Sequence, residues 1–141
     1  MKLLSAMNIS ASGMTSERLR FDLIATNLAN LNTTRTSEGG PYRRQIPIFA
    51  ERLAEARRSQ EGYRGTGVEV VGIIKEKTSP RLVYDPSHPD ANGEGYVALP
   101  NINVTQEMVN MLTASRSYEA NVTTFNAAKQ LAIKALEIGR G

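Results

Sequence analysis

The motif "DPSHPD" holds three side chains, Asp85, His88 and Asp90, that could ligate a metal ion or act as acid–base groups. Carboxylate and imidazole groups are common metal ligands. However, Pro86 and Pro89 impose a turning chain here, and no second cluster of ligands stands elsewhere in the sequence. A catalytic histidine would also need a nucleophile and an orienting partner, and neither is indicated. We therefore expect a structural turn without a metal, a cofactor or catalytic residues, and a protein that is not an enzyme.

Two other patterns suggest binding to phosphate groups. The segment "GYRGTG" at 62–67 has the glycine density of a phosphate-binding loop, but it precedes a strand pattern instead of joining a strand to a helix. Arginines occur in pairs and the net charge is +3, yet acidic residues are interleaved with them, unlike the concentrated basic face of nucleic-acid-binding proteins. A nucleic-acid-binding module stays an alternative, as does, more distantly, an enzyme that uses Asp85 and His88. The first alternative requires one face to carry Arg43, Arg44, Arg57 and Arg58.

The composition fits one domain with a modest core. The 141 residues contain no tryptophan and no cysteine, and aromatic residues make up 6%. The lack of cysteine excludes a disulfide scaffold, a thiol nucleophile and a zinc site with cysteine ligands. Ser5, Asn8 and Ser10 interrupt the first apolar run before it is long enough for a signal peptide, so we expect no cleaved signal. No segment has the ~20 consecutive apolar residues of a membrane span.

Both ends of the chain predict long amphipathic helices. Apolar residues recur at steps of three, four or seven from about Leu3 to Leu31 and again from about Val104 to Ile138. The second helix would be roughly 50 Å long, which is more than a small β module could cover. We expect the two helices to pair as a coiled coil with a weak seam, because alanine, serine, methionine and charged residues occupy positions where leucine or isoleucine would be strongest.

Capping residues predict where the second helix begins and ends. Asn103 or Thr105 is suited to be its N-cap, with Glu107 in the first turn. Gly139 is placed to end the helix as its C-terminal cap.

The middle of the chain predicts a small antiparallel β-rich module, so that the fold class is α+β, with N- and C-terminal α-helices and β structure inserted between them. Four short runs have strand character and are flanked by turn residues: "YRRQIPIF", "GVEVVGIIKE", "RLVYD" and "GYVAL". Gly72, inside the second run, suggests a bulge or a close approach of another segment. The segment "ERLAEARR" at 51–58 predicts a helical turn or two.

Asparagines recur in both helical segments although they compete for the hydrogen bonds of the helix backbone. Asn27, Asn30, Asn121 and Asn126 make sense as polar keys that restrict which helices pair and in what register. The alternative is that Asn30 only ends the first helix, together with Asn32, and that the others face solvent. The sequence taken alone points to an interaction protein whose chemistry is helix packing.

Three stretches of the sequence resemble the proximal-rod proteins of the bacterial flagellar basal body, which belong to the flagellar axial protein family. They are "NISASGMTSERLRFDLIATNLANLNTTRT", "RLVYDPSHPDANGEGYVALPNINVTQEMVNML" and "ASRSYEANVTTFNAAKQLAIKALEIGR". The pattern "SRSYEAN…FNAAK" is shared among axial proteins, and "YDPSHPDA…GYVALPN" at 84–101 narrows the match to the proximal rod. One departure concerns the loop after the first helix, where the glycine–tyrosine step of many relatives is delayed to Gly40 and Tyr42.

The resemblance implies a structural subunit that polymerises through its terminal helices into a tubular drive shaft, which transmits torque from rotor to hook across the periplasm. It also implies export by the flagellar type III apparatus without a cleaved signal peptide. The implied partners are further copies of the chain, other proximal rod proteins, the distal rod protein and the rod–rotor junction protein. Nucleic acid and a membrane span are not expected. Another axial protein of rod or hook type is the alternative.

The resemblance further implies three parts, with the terminal helices forming the inner wall of the tube and the middle module outside it. The expected parts are an N-terminal assembly helix at 1–34, a β-rich middle module with loops at 35–102 and a long C-terminal assembly helix at 103–141. The residues expected to form the assembly interface lie on the two helices: Met7, Ala11, Met14, Phe21, Ile24, Asn27, Leu28, Asn30, Met108, Met111, Leu112, Ser115, Tyr118, Asn121, Val122, Phe125 and Asn126.

Overall fold

The chain folds into two long helices with two β-hairpins between them. This computed structural model describes residues 2–53 and 65–140. The α+β class and the four strands predicted from the sequence are confirmed. The elements follow the order α1 (Lys2–Ala29), β1 (Gln45–Leu53), β2 (Gly65–Lys75), β3 (Arg81–Tyr84), β4 (Tyr96–Leu99) and α2 (Val104–Arg140). None of the helices in the described ranges is both long and apolar enough to span a membrane.

Helices α1 and α2 pack against each other in antiparallel orientation. Asn27 near the end of α1 contacts Glu107 in the first turn of α2, and Gly13 faces Asn121, so equal separations run in opposite directions along the two helices. The pairing of the end helices expected from the sequence is therefore present. Half of the side chains that the two helices bury are small, which allows a close approach: Ser10, Ser16, Ala114 and Ala128, beside the larger Leu23, Ile24, Asn27 and Glu107.

The start of α2 agrees with the sequence prediction, but its end does not. Asn103 is the N-cap, since its Oδ1 accepts a hydrogen bond from the Gln106 amide at 3.1 Å. Glu107 lies in the first turn, as predicted. The helix passes through Gly139 to Arg140, so the prediction that Gly139 ends it is wrong. The physical reason is that Gly139 is not among the glycines with positive φ, the conformation that a C-terminal glycine cap requires.

Strands β1 and β2 form an antiparallel hairpin with a bulge in its second strand. Ile48 pairs with Gly72, whereas Phe49 pairs with Val70, so that Val71 has no partner in the ladder. This confirms the bulge predicted at Gly72. The extra residue bends the second strand locally.

The segment "ERLAEARR" continues the hairpin at its first residues. Glu51 pairs with Val68 and Leu53 with Gly65, so the ladder to β2 overrides the local helical pattern. The prediction of a helical turn is wrong for residues 51–53, and residues 54–58 lie outside the described part of the chain. Of the motif "GYRGTG", residues 65–67 open strand β2, and residues 62–64 are likewise outside the described ranges.

The β1–β2 hairpin docks on α1 through a close backbone contact at Gly67. Ser12 Oγ accepts a hydrogen bond from the Val68 amide at 3.1 Å. A side chain at Gly67 would overlap the Ser12 hydroxyl, and its φ of 120° is one that glycine adopts easily and other residues do not. The other end of the hairpin reaches Asn27 through Gln45, so the hairpin runs along α1 from Ser12 to Asn27.

Strands β3 and β4 form a second, separate hairpin. Tyr84 pairs with Tyr96, and their rings meet edge to face with centroids 5.3 Å apart. Val97 on β4 is buried, whereas all four residues of β3 are exposed. The predicted β-rich module thus consists of two hairpins, of which the second presents one strand outward.

Gly13→Ala tests the close approach of the two helices. A Cβ at this position would stand 2.8 Å from Asn121 Oδ1 and 2.9 Å from Asn121 Cγ, closer than side chains normally pack. Alanine gains about 1 kcal/mol of helix propensity over glycine, but overpacking costs about 1–3 kcal/mol. We expect the free energy of unfolding, measured by urea denaturation, to fall.

Gly139→Ala is the matched control, because nothing lies within 4 Å of the position of its Cβ and only the gain in helix propensity applies. Combining Gly13→Ala with Asn121→Ala should recover much of the lost stability. If Gly13→Ala proves as stable as the control, α1 and α2 do not pack closely at this point.

A buried polar cluster and the candidate assembly surfaces

Asn27 is the centre of a buried polar cluster between α1, β1 and α2. It is 1% exposed, and its Nδ2 donates to the Gln45 carbonyl at 3.0 Å and to Glu107 Oε2 at 3.1 Å. Its Oδ1 accepts hydrogen bonds from the Tyr42 hydroxyl and the Gln45 amide, both at 2.9 Å. A carboxamide has two donor hydrogens and two acceptor sites, so every one of them is used. Aspartate in this position would lack both donors.

Glu107 is also 1% exposed, and Arg44 balances its charge. Arg44 Nε and Nη2 donate to Glu107 Oε1 at 2.8 and 2.7 Å, while Asn27 binds the other carboxylate oxygen. Nη1 of Arg44 lies 3.6 Å from Glu76 Oε2. A buried carboxylate is tolerated only when it is paired and hydrogen-bonded. The cluster therefore fixes the start of α2 against the end of α1 and the start of β1.

The loop between α1 and β1 folds back so that Tyr42 reaches this cluster. The Tyr42 amide donates to the Thr33 carbonyl at 3.0 Å, and the Thr36 amide donates to the Gly40 carbonyl at 2.9 Å. Gly39 and Gly40 have φ of 86° and 75°, values that tight hairpin turns require. The delayed glycine–tyrosine step thus forms an ordered loop that delivers a hydroxyl to Asn27.

The helical asparagines lie in different environments. Asn27 is the buried one, whereas Asn126 is exposed. Asn121 is half-buried, bonds to a backbone carbonyl of its own helix at 2.9 Å and occupies the space above Gly13. Asn30 bonds to a backbone carbonyl one turn earlier at 2.9 Å and so completes the end of α1. Within the chain, Asn27 is the polar key between helices, and Asn30 ends the first helix.

The residues expected to form the assembly interface fall into three groups by exposure. Two are buried inside the chain and present no surface to a neighbour: Ile24 and Asn27. The half-buried ones are Met7, Ala11, Met14, Leu28, Asn30, Met111, Ser115, Asn121, Val122 and Phe125. The exposed ones are Phe21, Met108, Leu112, Tyr118 and Asn126.

Large apolar side chains outside the expected set are also exposed on α2. In the observed register Lys2 lies opposite Ala132, so the last turns of α2 project about 12 Å past the start of α1. The apolar spacing continues the helical pattern through this segment and does not show whether it is covered. In the described part of the chain, α1 begins too late to cover these last turns. The additional exposed residues are Val104, Val109, Leu131, Ile133, Leu136 and Ile138.

The motif "DPSHPD" forms a turn whose polar groups bond one another. Asp85 Oδ1 accepts bonds from the Ser87 hydroxyl at 2.6 Å and the Ser87 amide at 3.1 Å, and these bonds hold the pKa of the Asp85 carboxyl below its usual range. His88 Nδ1 accepts from the Asp90 amide at 3.1 Å, and Asp90 Oδ2 accepts from the Thr34 hydroxyl at 2.7 Å. Within residues 2–53 and 65–140, no group of three or more histidine and acidic side chains is arranged to hold a metal ion.

Two family models match the chain, one at each end. The model described as "Flagella basal body rod protein" matches residues 7–35, and the model described as "Flagellar basal body rod FlgEFG protein C-terminal" matches residues 94–138. Relatives named flagellar basal-body rod protein FlgC match over nearly the full length. The relative in Borreliella burgdorferi is 44% identical over 100% of both chains, and that in Bacillus subtilis is 43% identical over 96% of this chain and 97% of its own. The relative in Escherichia coli is 37% identical over 99% of this chain and 100% of its own.

The chain belongs to the FlgC family. It is therefore a structural protein of the flagellar basal-body rod and serves cell motility. The match over the whole chain, including the segment 84–101, favours FlgC over another axial protein, because the full-length relatives are named FlgC whereas the description of the C-terminal model names FlgEFG. Asn27 lies in the range matched by the first model and Glu107 in the range matched by the second, so the buried cluster joins the two matched ends of the chain.

One of the four arginines that a nucleic-acid-binding face would need, Arg44, belongs instead to the buried polar cluster. Arg44 is held by Glu107 and Glu76, whereas Arg43 is exposed. Arg57 and Arg58 lie outside the described residues. The side chain of Arg44 is thus engaged inside the FlgC fold instead of facing a phosphate backbone.

Arg44→Met and Arg43→Met form a matched pair that tests the ion pair in the cluster. Arg44→Met leaves the carboxylate of Glu107 buried without its cation, and removing one partner of a buried ion pair costs about 3–5 kcal/mol. We expect a loss near 3 kcal/mol, about the lower end of that range, because Arg44 keeps some contact with solvent. Arg43→Met should change the free energy of unfolding by less than about 0.5 kcal/mol. Both values come from urea denaturation of the full chain.

The double variant Arg44→Met with Glu107→Met separates the charge from the loss of contacts. It should be more stable than Arg44→Met alone, because no unpaired charge is left inside the protein. Equal stability of Arg44→Met and Arg43→Met would show that the Glu107 carboxylate does not depend on Arg44.

Ionisation of Tyr42 should lower the stability of the fold at alkaline pH. Burial, and after it the negative charge of Glu107, raises the pKa of Tyr42 above the ordinary value of 10.0. Since folding favours the neutral phenol, its contribution is complete below pH 10.0 and is lost as the pH rises through the folded-state pKa. The free energy of unfolding should therefore fall above pH 10.0, and less steeply in Tyr42→Phe.

The same variant should be less stable at neutral pH by about 1 kcal/mol, because it lacks the hydrogen bond to Asn27. Parallel pH dependences of the wild type and Tyr42→Phe in the alkaline range would mean that Tyr42 ionises equally in the folded and unfolded chain.

Proposed function

We propose that the chain polymerises through α1 and α2 into the tubular proximal rod, the shaft that transmits torque from the rotor to the hook across the periplasm. The relatives are named as basal-body rod proteins. Polymerisation into a tube and transmission of torque are our proposal. The observation that carries the proposal is the set of large apolar side chains that the folded chain leaves exposed along α2.

The total surface of the chain supports this proposal. The accessible surface is 10423 Å², whereas a self-contained monomer of 15.4 kDa exposes about 7,200 Å². The core is correspondingly small. In the described ranges, the buried hydrophobic residues are Leu23, Ile24, Val97, Ala114 and Ala128. A protein with so much exposed surface gains stability when copies or partners cover it.

The long helix α2 offers the surface for these contacts. Leu112 is 62% exposed and Leu136 is 71% exposed, and both lie on a helix that extends past α1. Isolated helices with a weak seam are marginal in water, but neighbours packed around a tube would cover these side chains from several sides. Many small interfaces in a closed tube also share a torque, so that no single seam has to carry it.

The remaining expectations belong to the same proposal. The helical parts at 1–34 and 103–141 would form the inner wall, and the middle module at 35–102 would lie outside it. The partners would be further copies of the chain, other proximal rod proteins, the distal rod protein and the rod–rotor junction protein. The chain would reach the growing rod unfolded, through the flagellar type III export apparatus and without a cleaved signal peptide.

Leu136→Glu and Leu112→Glu test the assembly surface. Because both side chains are exposed in the isolated chain, the free energy of unfolding should change by less than about 0.5 kcal/mol. A charge buried between subunits has a large penalty, so we expect loss of motility and of rod assembly when either variant replaces the native protein. The readouts are swimming in soft agar and recovery of the variant in purified basal bodies.

Gln130→Glu is the matched control, since it places the same carboxylate on an exposed polar position of α2. It should retain motility. Normal motility of Leu136→Glu and Leu112→Glu, with normal incorporation, would show that this face of α2 is not an assembly surface.

A further inference from the structure

We propose that Asn92 is a site of spontaneous deamidation in the folded chain. The sequence contains ten asparagines, and Asn92 is the one that is followed by glycine. It is exposed and lies in the turn between β3 and β4. The reaction needs only water as a co-reactant, and it proceeds through attack of the Gly93 backbone nitrogen on the side-chain carboxamide.

The turn prepares the carboxamide of Asn92 for this attack. Its Oδ1 accepts hydrogen bonds from the Glu94 amide at 3.0 Å and the Tyr96 amide at 2.9 Å. Two backbone N–H groups directed at one carbonyl oxygen stabilise the negative charge that develops on it during acyl transfer. That charge forms on Oδ1 when a nucleophile adds to Cγ of Asn92.

Gly93 supplies the nucleophile without hindrance. In the part of the chain that the structure describes, its amide donates to no backbone carbonyl. Apart from Asn92, Gly93 itself and Glu94, no described residue has an atom within 4 Å of the place where a Cβ of Gly93 would stand. Because Gly93 is exposed and its amide is not bonded to a backbone carbonyl of the described residues, base can reach the amide proton. The absence of a side chain lets the nitrogen close on Cγ.

The reaction balances as follows in atoms and charge. Hydroxide removes the Gly93 amide proton, and the nitrogen forms a bond to Cγ of Asn92. The C–N bond of the carboxamide breaks, and its nitrogen leaves as ammonia after taking a proton from water, which restores the hydroxide. The resulting succinimide adds one water. Opening at Cγ gives aspartate at position 92, opening at the backbone carbonyl carbon gives isoaspartate, and no electrons are transferred.

Either product alters the turn that Asn92 organises. The backbone of Asn92 donates to the Tyr96 carbonyl at 2.8 Å and accepts from the Gly95 amide at 2.9 Å. Isoaspartate inserts a methylene group into the backbone between these two bonds. Both products also add a negative charge to a segment that already carries Asp90 and Glu94. The modification therefore loosens the β3–β4 turn as the protein ages.

The test is a time course on the purified full-length chain at mildly alkaline pH. Peptide mass spectrometry follows the conversion of amide to acid at each asparagine, and chromatography separates aspartate from isoaspartate. We expect position 92 to convert faster than each of the other nine asparagines, with isoaspartate among the products. Conversion at position 92 no faster than at the others would overturn the proposal.

Gly93→Ala and the unfolded chain provide the two controls. The alanine side chain meets nothing within 4 Å, so the fold should be unchanged, and conversion at position 92 should fall to the level of the other asparagines. Unchanged conversion in Gly93→Ala would exclude attack by this nitrogen. The folded chain should convert at least as fast as the same chain in urea, and conversion confined to urea would show that the turn protects Asn92 and would overturn the proposal.

Discussion

Glu107 places a carboxylate where it is 1% exposed, and the fold is organised around the need to compensate that charge. Moving an ion out of water costs several kcal/mol unless a counter-ion and hydrogen-bond donors surround it. The cation comes from Arg44, just before β1, and a further donor comes from Asn27 at the end of α1. The start of α2, the end of α1 and the first strand are consequently fixed together at one point, and the loop carrying Tyr42 must fold back to complete the set.

The rest of the molecule extends from this fixed point with little apolar burial. Small side chains and Gly13 let α1 and α2 run close together away from the cluster, and Gly67 fastens the first hairpin on Ser12. Specific polar contacts and close backbone approach thus determine the arrangement, where many proteins of this size use a thick hydrophobic core. Because so little apolar surface is buried within the chain, most of the apolar surface of α2 stays exposed.

Local patterns in the sequence predict the elements well, because periodicity and capping act over a few residues. Both helices, the four strands, the N-cap at Asn103 and the bulge at Gly72 follow from such patterns. Contacts between distant segments decide the rest. The residues 51–53 have a helical pattern and become strand because β2 pairs with them. Gly139 has the composition of a helix end, but the helix continues through it.

For the candidate assembly surface, too, the sequence predicts which residues are apolar, and contacts between distant segments decide which of them are exposed. The sequence predicts Ile24 and Leu112 alike as interface residues, yet Ile24 is buried and Leu112 is exposed. Leu112 is level with Asp22 in the observed register, so it is exposed because its side chain does not face α1. The role of Glu107 could not be predicted from the sequence around it either. An acidic residue in the first turn of a helix is common, because it interacts favourably with the helix dipole. The neighbouring sequence therefore gives no sign that Glu107 forms a buried ion pair with Arg44.

The distance along the chain between Asn27 and Glu107 has a consequence for how folding proceeds. Their hydrogen bond joins residues separated by 80 positions, so the cluster closes only when most of the polypeptide is available. Contacts of such high contact order are slow to form, since the entropy of a long loop must be lost before they contribute. A chain that is still being synthesised, or that enters a narrow passage from one end, therefore has no stable substructure built on this cluster. The cluster therefore forms only in a chain that includes the start of α2. In a truncated product without this segment, the carboxamide of Asn27 would lack the hydrogen bond to Glu107, and the product would be open to degradation.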